Sequence, residues 1–339
     1  MANKSNISID FIIINSYASI AAIPLFAVGF LTNLFIFYVM IKFAYFHKIT
    51  YNLIRVSVVS DIIITLIASF GYLLFIAVDF KYETGRLLCR ILVYIVLVSY
   101  GTSILTLCLI SVDRYFVTVK SSIRYYQTHR TKIVLIGQIM IVTIAMSVCA
   151  PILILMDTYP DQPKFCDFIK VNTATSIYFI LSTVWLFIIP SSILAYTYWK
   201  IIDYLKNHVR PGKVTIEKKQ EEEFKKSKQV KVLVYFTTSL LLLTWPYFAT
   251  SLGIAFTQKS LRKLFHENCS YYFLAFLSYD ITTGISVINP YLYLKFDTNI
   301  RNKSYDLIRK LLLKQNNRKI QVVAHNPNLQ TTAVNFRLQ

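Results

Sequence analysis

Charged residues, glycines and histidines are all scarce in this sequence, and each shortage excludes a class of protein. Charged residues make up 16% of the chain, well below the ~25% that is usual in soluble domains. With only eight glycines, the chain lacks the broken, glycine-rich helices that a transporter is expected to show. All five histidines fall in predicted loops or the tail, so we expect no metal or catalytic cluster within the apolar segments, and no enzyme.

Long apolar runs are abundant instead. A helix needs ~20 mainly apolar residues to cross a bilayer, and seven stretches meet this length. Five are free of charge: residues 11–41, 91–112, 133–156, 171–199 and 232–258. Two more, 56–78 and 270–294, are each interrupted by one acid, Asp61 or Asp280. The sequence therefore predicts an all-α integral membrane protein, a bundle of seven transmembrane helices in a lipid bilayer.

The basic residues predict the orientation of the bundle. Of the 36 Lys and Arg residues, 26 lie in segments 42–50, 114–132, 200–231 and 295–339, and only eight in the segments on the other side. Because Lys and Arg collect on the cytoplasmic side, we expect an extracellular N-terminus. The same rule accounts for the net charge of +19, so no nucleic-acid partner is expected.

Four regions follow from these patterns. We expect an extracellular N-terminus at 1–17, the seven-span domain at 18–295, an amphipathic cytoplasmic helix at 296–314 and a disordered tail at 315–339. A basic disordered tail is the alternative for the amphipathic helix. The first region lacks the features of a removable signal peptide and carries two glycosylation acceptors, Asn3 and Asn6. Between spans five and six, a mixed-charge stretch after Pro211-Gly212 predicts helical extensions of those spans.

Four polar residues within the spans predict a hydrated cluster in the bundle interior. Asp61 lies in span two, Ser103 in span three, and Ser286 and Asn289 in span seven. Such residues are rare in spans and are functional candidates. Oxygen ligands suit a small hard cation, so a sodium ion is one interpretation. The alternative is a protonated, hydrogen-bonded Asp61.

Asp280 is a second isolated acid. It lies ten residues before Pro290, which is about 15 Å along a helix. It either pairs with Arg90 or a hydroxyl and holds helices together, or binds a cationic group of a ligand.

Cysteines and a charged triplet mark the two ends of span three. Cys89 and Cys166 lie at outer positions, where an oxidising compartment permits a disulfide, and Cys269 is left over. The triplet 113–115, Asp-Arg-Tyr, ends the span. It is either a plain helix-end ion pair or a switchable one, in which Arg114 exchanges Asp113 for a cytoplasmic partner.

Together these residues resemble the rhodopsin-like family of G-protein-coupled receptors over residues 18–314. The landmarks occur in the family's order: Asn33 in span one, Asp61, Gly85 and Cys89, the Asp113-Arg114-Tyr115 triplet, Cys166, Pro190 with Tyr198, Trp245-Pro246, and the NPxxY motif from Asn289 to Tyr293. The resemblance implies a Cys89–Cys166 disulfide, an extracellular ligand, a heterotrimeric G protein and a plasma-membrane location.

The resemblance also assigns roles to residues. The implied coupling and switch residues are Asp113, Arg114, Tyr115, Tyr198, Trp245, Pro246, Asn289, Pro290 and Tyr293. The implied ligand pocket comprises Val96, Tyr247, Tyr279, Asp280 and Thr283, and the implied sodium site comprises Asp61, Ser103, Ser286 and Asn289. An allosteric sodium ion is the only cofactor considered.

Departures from the family pattern reduce the number of expected ligand classes. Receptors for amines carry an aspartate where this chain has Val96, and opsins carry a lysine where it has Thr283. A neuropeptide is therefore the expected ligand, with a lipid or other small molecule next. In span six, Thr244 occupies the usual tryptophan position because Trp245 directly precedes Pro246. The alternative function is an ion transporter or channel that uses Asp61 and Asp280.

Overall fold

The computed structural model describes residues 2–208 and 216–325, with the side chains of 16–206 and 234–313 except Phe236. Nearly all of these residues are helical. The helices are α1 (Ala2–Lys42), a short 3-10 turn (Ala44–Phe46), α2 (Ile49–Ala77), α3 (Tyr82–Thr118), α4 (Arg124–Cys149), α5 (Ile152–Leu155), α6 (Thr173–Thr183), a π-helical turn (Val184–Ile188), α7 (Ile189–His208), α8 (Ile216–Thr257), α9 (Leu261–Glu267), α10 (Cys269–Phe296) and α11 (Thr298–His325). Two strands, β1 (Asp157–Tyr159) and β2 (Gln162–Asp167), precede α6.

Seven helical segments are long and apolar enough to span a bilayer. They are Ser16–Lys42, Ile49–Ala77, Tyr82–Thr118, Arg124–Leu155, Thr173–Lys206, Thr237–Thr257 and Cys269–Phe296, here called spans one to seven. A helix satisfies its own backbone groups, which is the condition for crossing hydrocarbon. The seven-helix fold predicted from the apolar runs is therefore confirmed.

Polar residues begin several of the helices. Asn172 accepts a hydrogen bond from the Thr175 amide at 3.0 Å and so caps α6. Asn268 caps α10 in the same way, accepting from the Ser270 amide at 2.9 Å. Within span five, the π-helical turn ends at Ile188, two residues before Pro190, whose ring clashes with the carbonyl one turn earlier in a regular helix. Polar caps thus set the starts of α6 and α10, and a proline accompanies the irregular turn within span five.

The two chain ends differ from the expected regions. Helix α1 begins at Ala2, so residues 2–17 continue into span one without a break. The amphipathic helix after span seven is present, with Ile300 and Leu307 fully buried and Leu311 exposed. It continues to His325 rather than ending at 314, because nothing in the sequence near 315 terminates a helix. The side chains of Asn3 and Asn6, the Pro211-Gly212 break and residues 326–339 lie outside the described residues.

A β-hairpin between spans four and five was not predicted from the sequence. β1 and β2 pair antiparallel, with Thr158 opposite Cys166. Pro160 lies in the connecting turn, where its fixed φ is favourable. Cys166 forms a disulfide with Cys89, with Cα atoms 5.7 Å apart, so the predicted pair is confirmed. The bond holds the hairpin against the head of span three; that end of the bundle is called the disulfide end, and the end with Asp113 is called the DRY end.

Candidate functional site

A cavity of about 590 Å³ opens at the disulfide end. Every span except the fifth contributes lining residues, and residues of the hairpin also line it. The five predicted pocket residues, Val96, Tyr247, Tyr279, Asp280 and Thr283, all line this one cavity. The structure therefore brings together, from three separate helices, the side chains that the family resemblance grouped into a ligand pocket.

Asp280 is held by a hydroxyl group rather than by an arginine. Its Oδ1 accepts a hydrogen bond of 2.9 Å from the hydroxyl of Tyr72 in span two. Arg90, the predicted ionic partner, instead donates through Nε to the Met156 carbonyl at 2.7 Å and lies 3.6 Å from the Asp157 carboxylate. The pairing with Arg90 is wrong because the arginine lies beside the start of the hairpin. Tyr72 was missed because its identity as the hydroxyl partner depends on how spans two and seven pack.

Two other acids that line the cavity have basic partners. Lys164 Nζ lies 2.7 Å from Asp79 Oδ1, and this hydrogen bond lowers the pKa of the Asp79 carboxyl. Arg262 donates through Nη1 to Asp161 at 2.9 Å, which lowers the pKa of the Asp161 carboxyl. Among the described residues, Asp280 has no Lys or Arg within salt-bridge distance, and this sets it apart from both.

Asp167 joins the hairpin to α9 at the cavity rim. It is 1% exposed and accepts hydrogen bonds from the amides of Leu261 at 3.1 Å and Arg262 at 3.0 Å, and from the Tyr159 hydroxyl at 2.8 Å. Burial raises the pKa of its carboxyl, although these donors act in the opposite direction. Arg262 also lies over the Tyr159 ring, 4.4 Å from its centroid. We call Tyr159, Asp161, Asp167, Leu261 and Arg262 the loop clasp.

The loop clasp gives a testable expectation for amide exchange. Asp167→Asn should speed hydrogen–deuterium exchange at the Leu261 and Arg262 amides by about tenfold or more, because hydrogen bonds to a charged acceptor contribute about 1.5–3 kcal/mol. The measurement is exchange mass spectrometry on detergent-solubilised protein. Asp161→Asn is the matched control, since it removes an acid of the clasp that does not accept from these amides. Unchanged exchange in Asp167→Asn would show that Asp167 does not hold α9.

Deeper in the bundle, the predicted polar cluster forms around Asp61, which is 1% exposed. Asn289 donates through Nδ2 to Asp61 Oδ2 at 2.9 Å, and the Ser286 side chain is buried at 3% exposure. Asn33 donates to the Ser286 carbonyl at 2.7 Å and so ties span one to span seven. Ser103 is buried, but no hydrogen bond joins it to Asp61 among the described residues.

One acceptor atom of this cluster has no described hydrogen-bond donor. The Asn289 Oδ1 atom is buried and makes no hydrogen bond in the described part of the chain. Buried polar atoms without a partner are uncommon, and a cation or a water molecule beside the amide oxygen would satisfy it. The donor set therefore fits a small hard cation coordinated by oxygen.

At the DRY end, Asp113 has a closer partner than the sequence suggested. Its fully buried carboxylate accepts two hydrogen bonds of 2.7 Å from Arg130 of span four, one from Nε and one from Nη2. The Tyr126 hydroxyl donates a third at 2.9 Å. Arg114 Nε lies 3.8 Å from Asp113 Oδ2 and donates no hydrogen bond. The predicted ion pair of Arg114 and Asp113 is therefore present as a longer contact, and Arg130 is an additional, closer partner that the sequence did not predict.

The remaining predicted switch residues lie on the inner faces of spans three, five and seven. The Tyr198 hydroxyl is 3.2 Å from Thr237 Oγ1, which joins span five to span six. Tyr293 is buried at 7% exposure. Tyr115 contacts the ring of Tyr196, with centroids 6.4 Å apart. Spans three and five are thus connected near Arg114, as are spans five and six.

Trp245 does not lie where the switch prediction requires. Its side chain is 54% exposed on the outer surface of span six, whereas Thr244 is fully buried. Successive residues of a helix point about 100° apart, so moving the tryptophan by one position turns it out of the bundle. Phe248 lies in the interior instead, stacked on Phe187 with centroids 4.9 Å apart. The assignment of Trp245 as an interior switch is therefore wrong.

Comparison with known proteins adds two findings. The family model described as 7 transmembrane receptor (rhodopsin family) matches residues 32–293. The chain is 24% identical over 321 residues to the 5-hydroxytryptamine receptor 5B of Rattus norvegicus, covering 84% of this chain and 83% of that protein. It is 25% identical to the 5-hydroxytryptamine receptor 5B of Mus musculus over 52% of this chain and 47% of that protein. It is 24% identical to the 5-hydroxytryptamine receptor 5A of Rattus norvegicus over 52% of this chain and 48% of that protein.

Proposed function

Because this chain belongs to the rhodopsin family of seven-transmembrane receptors, we propose that it binds its ligand in the disulfide-end cavity and passes the signal to a heterotrimeric G protein at the DRY end. The family membership makes it a multi-pass G-protein-coupled receptor of the plasma membrane and not an enzyme. The transporter or channel alternative loses its basis, because Asp61 and Asp280 now have places in a receptor bundle.

We infer that the disulfide end is extracellular. The Cys89–Cys166 bond suits an oxidising compartment. The excess of Lys and Arg lies in the segments at the DRY end and suits the cytoplasm. This places the N-terminus outside the cell and Arg114 next to the G protein.

The observation that carries the proposal is the pairing of two features in one bundle. A cavity of about 590 Å³ lies at one end, and a buried carboxylate with an adjacent, non-bonded arginine lies at the other. A ligand shifts the bundle between two states only as far as its affinities for them differ. The Tyr198–Thr237 link and the helix segments around Pro190, Pro246 and Pro290 are the parts that would rearrange.

The comparisons favour an amine over a neuropeptide as the ligand class. The relatives are named as receptors for 5-hydroxytryptamine, an amine, and they give no support to the neuropeptide prediction. An amine is therefore the first ligand to test. The chain is 24–25% identical to these receptors. Val96 lies where amine receptors carry their span-three aspartate, so the cationic group would need a different acid.

The proposed function is tested by G-protein activation in cells. Cells with the receptor at the plasma membrane are compared with mock cells for each G-protein class, first untreated and then with serotonin, other amines and a neuropeptide library. We expect activation above mock for at least one class, and its loss in cells without the corresponding Gα subunit. An expression-dependent ion current with no G-protein activation would instead support the transporter or channel alternative.

Sodium is expected to stabilise the inactive receptor through the Asp61 cluster. Basal G-protein activation should be lower in sodium chloride than in N-methylglucamine chloride, and agonist affinity should fall by about fivefold or more, since coupling energies are typically 1–3 kcal/mol. Asp61→Asn should remove both differences. Ser60→Ala is the matched control, because the buried Ser60 hydroxyl donates to the Val56 carbonyl at 3.1 Å and Ser60 is not among the predicted sodium-site residues. Equal sodium sensitivity of wild type and Asp61→Asn would contradict the site.

A further inference from the structure

Asp280 stands out because an acid inside a membrane span normally has an ionic partner or a function. Its side chain is half-buried and lines the cavity. Only Oδ1 has a described hydrogen bond, the one from Tyr72. A carboxylate accepts several hydrogen bonds through its two oxygens. Oδ2 therefore has acceptor capacity that no described residue uses.

The nearby basic residues are engaged elsewhere. Lys164, the only base that lines the cavity among the described residues, is paired with Asp79. Arg262 is paired with Asp161, and Arg90 with the Met156 carbonyl and Asp157. The described part of the protein therefore supplies no cation to Asp280.

Aromatic side chains line the same cavity as Asp280. Tyr72 is held from behind by Phe26, with ring centroids 5.8 Å apart. Phe75, Phe276 and Tyr279 line the same cavity, and aromatic faces attract ammonium and guanidinium groups. A carboxylate among aromatic rings binds such a group by charge and by ring contact together.

We propose that Asp280 and Tyr72 form a cation-binding subsite between spans two and seven, which takes the protonated amine or the guanidinium group of the ligand. The subsite deepens the proposed function and rests on it. It is displaced from span three, where Val96 offers no charge. Tyr72 acts as a positioning residue that fixes the carboxylate by donating to Oδ1 and leaves Oδ2 for the ligand.

The first test measures the charge preference of the cavity and needs neither a known agonist nor a G protein. Thr283→Cys places a thiol on the same face as Asp280, one turn away, in a Cys269→Ser background that removes the exposed free cysteine. Surface receptor is treated with cationic 2-aminoethyl or anionic 2-sulfonatoethyl methanethiosulfonate, and the labelling rates are read by mass spectrometry. Adding Asp280→Asn should lower the ratio of cationic to anionic rate by about tenfold, in line with a charged contact.

The matched controls separate the subsite from the general charge of the cavity. Asp79→Asn removes an acid that is already paired with Lys164, and it should leave the ratio within about twofold of the parent, as expected for exposed pairs. Asp280→Glu should retain the cation preference. An unchanged ratio in Asp280→Asn, or an equal fall in Asp79→Asn, would overturn the subsite.

The second test distinguishes the two sources of the cation. Labelling at Thr283→Cys is repeated with millimolar serotonin, with acetyl-Ala-Arg-Ala-amide, or with the neutral acetyl-Ala-Gln-Ala-amide. Protection by serotonin assigns the subsite to an amine, and protection by the arginine peptide assigns it to a basic peptide; either should vanish in Asp280→Asn. Protection by neither cation, or equal protection by the neutral peptide, would refute the proposal, whereas a failure of G-protein coupling would not affect these measurements.

Discussion

Arg114→Ala is expected to lower G-protein activation by roughly a hundredfold at matched surface expression, because removal of one charged partner from a buried contact costs about 2–5 kcal/mol. The Arg114 side chain is 18% exposed and makes no hydrogen bond through Nε. Its guanidinium is therefore available to a partner that enters at the DRY end. Nucleotide exchange on purified Gα, with the receptor in lipid nanodiscs, measures the effect.

Two variants complete this experiment. Arg124→Ala removes an exposed arginine at the start of α4, on the same side of the bundle, and should leave exchange near the parent rate. Arg114→Lys keeps the charge but loses the planar fork of donors and should fall between parent and Arg114→Ala. Full exchange activity in Arg114→Ala would remove Arg114 from the coupling mechanism.

The second large effect is expected at Asp113, in the direction of higher basal activity. Asp113→Asn removes the anion that holds Arg130 by two hydrogen bonds and Arg114 by proximity. Removal of one partner from a buried ion pair typically costs 3–5 kcal/mol, so the contact between spans three and four should loosen. Basal nucleotide exchange should rise by about tenfold, with lower thermal stability of the purified receptor.

Arg130→Met distinguishes this arrangement from a simple pair of Asp113 and Arg114. Without Arg130, Asp113 keeps only the hydrogen bond from Tyr126 to Oδ1, and Oδ2 becomes available to Arg114. Arg114 needs to move about 1 Å from its 3.8 Å separation to reach the ~2.8 Å of a charge-assisted hydrogen bond. Arg114 is then held more firmly, and basal exchange should fall below the parent. If Arg130→Met and the parent have equal basal exchange, Arg130 does not compete with Arg114 for the carboxylate.

The elements predicted well from the sequence are those set by local composition. Each span is encoded by its own apolar run, and its boundaries follow from nearby polar caps such as Asn172 and Asn268. The cavity residues could be grouped because depth in a membrane is counted along each helix from a landmark such as Pro290. A residue such as Asp280 thus has a predictable height, but its neighbour at that height depends on helix packing.

The features that were missed depend on contacts between distant parts of the chain. The loop clasp joins residues about 100 positions apart, Asp167 and Arg262, and no periodic pattern encodes it. Arg130 reaches Asp113 only because span four packs against span three at a particular rotation. The orientation of Trp245 was within reach of the sequence, since the shift by one residue was visible. Helix geometry alone turns a residue that is shifted by one position about 100° away from the bundle interior.

The outward orientation of Trp245 also determines what intrinsic tryptophan fluorescence measures in this receptor. The chain has three tryptophans, and Trp185, Trp199 and Trp245 are 47%, 61% and 54% exposed on spans five and six. All three indole rings therefore face outward from the bundle rather than into its interior. Intrinsic fluorescence should be quenched by brominated lipids and should respond to bilayer composition. The fluorescence should change little when a molecule fills the cavity. It therefore measures the lipid environment of spans five and six.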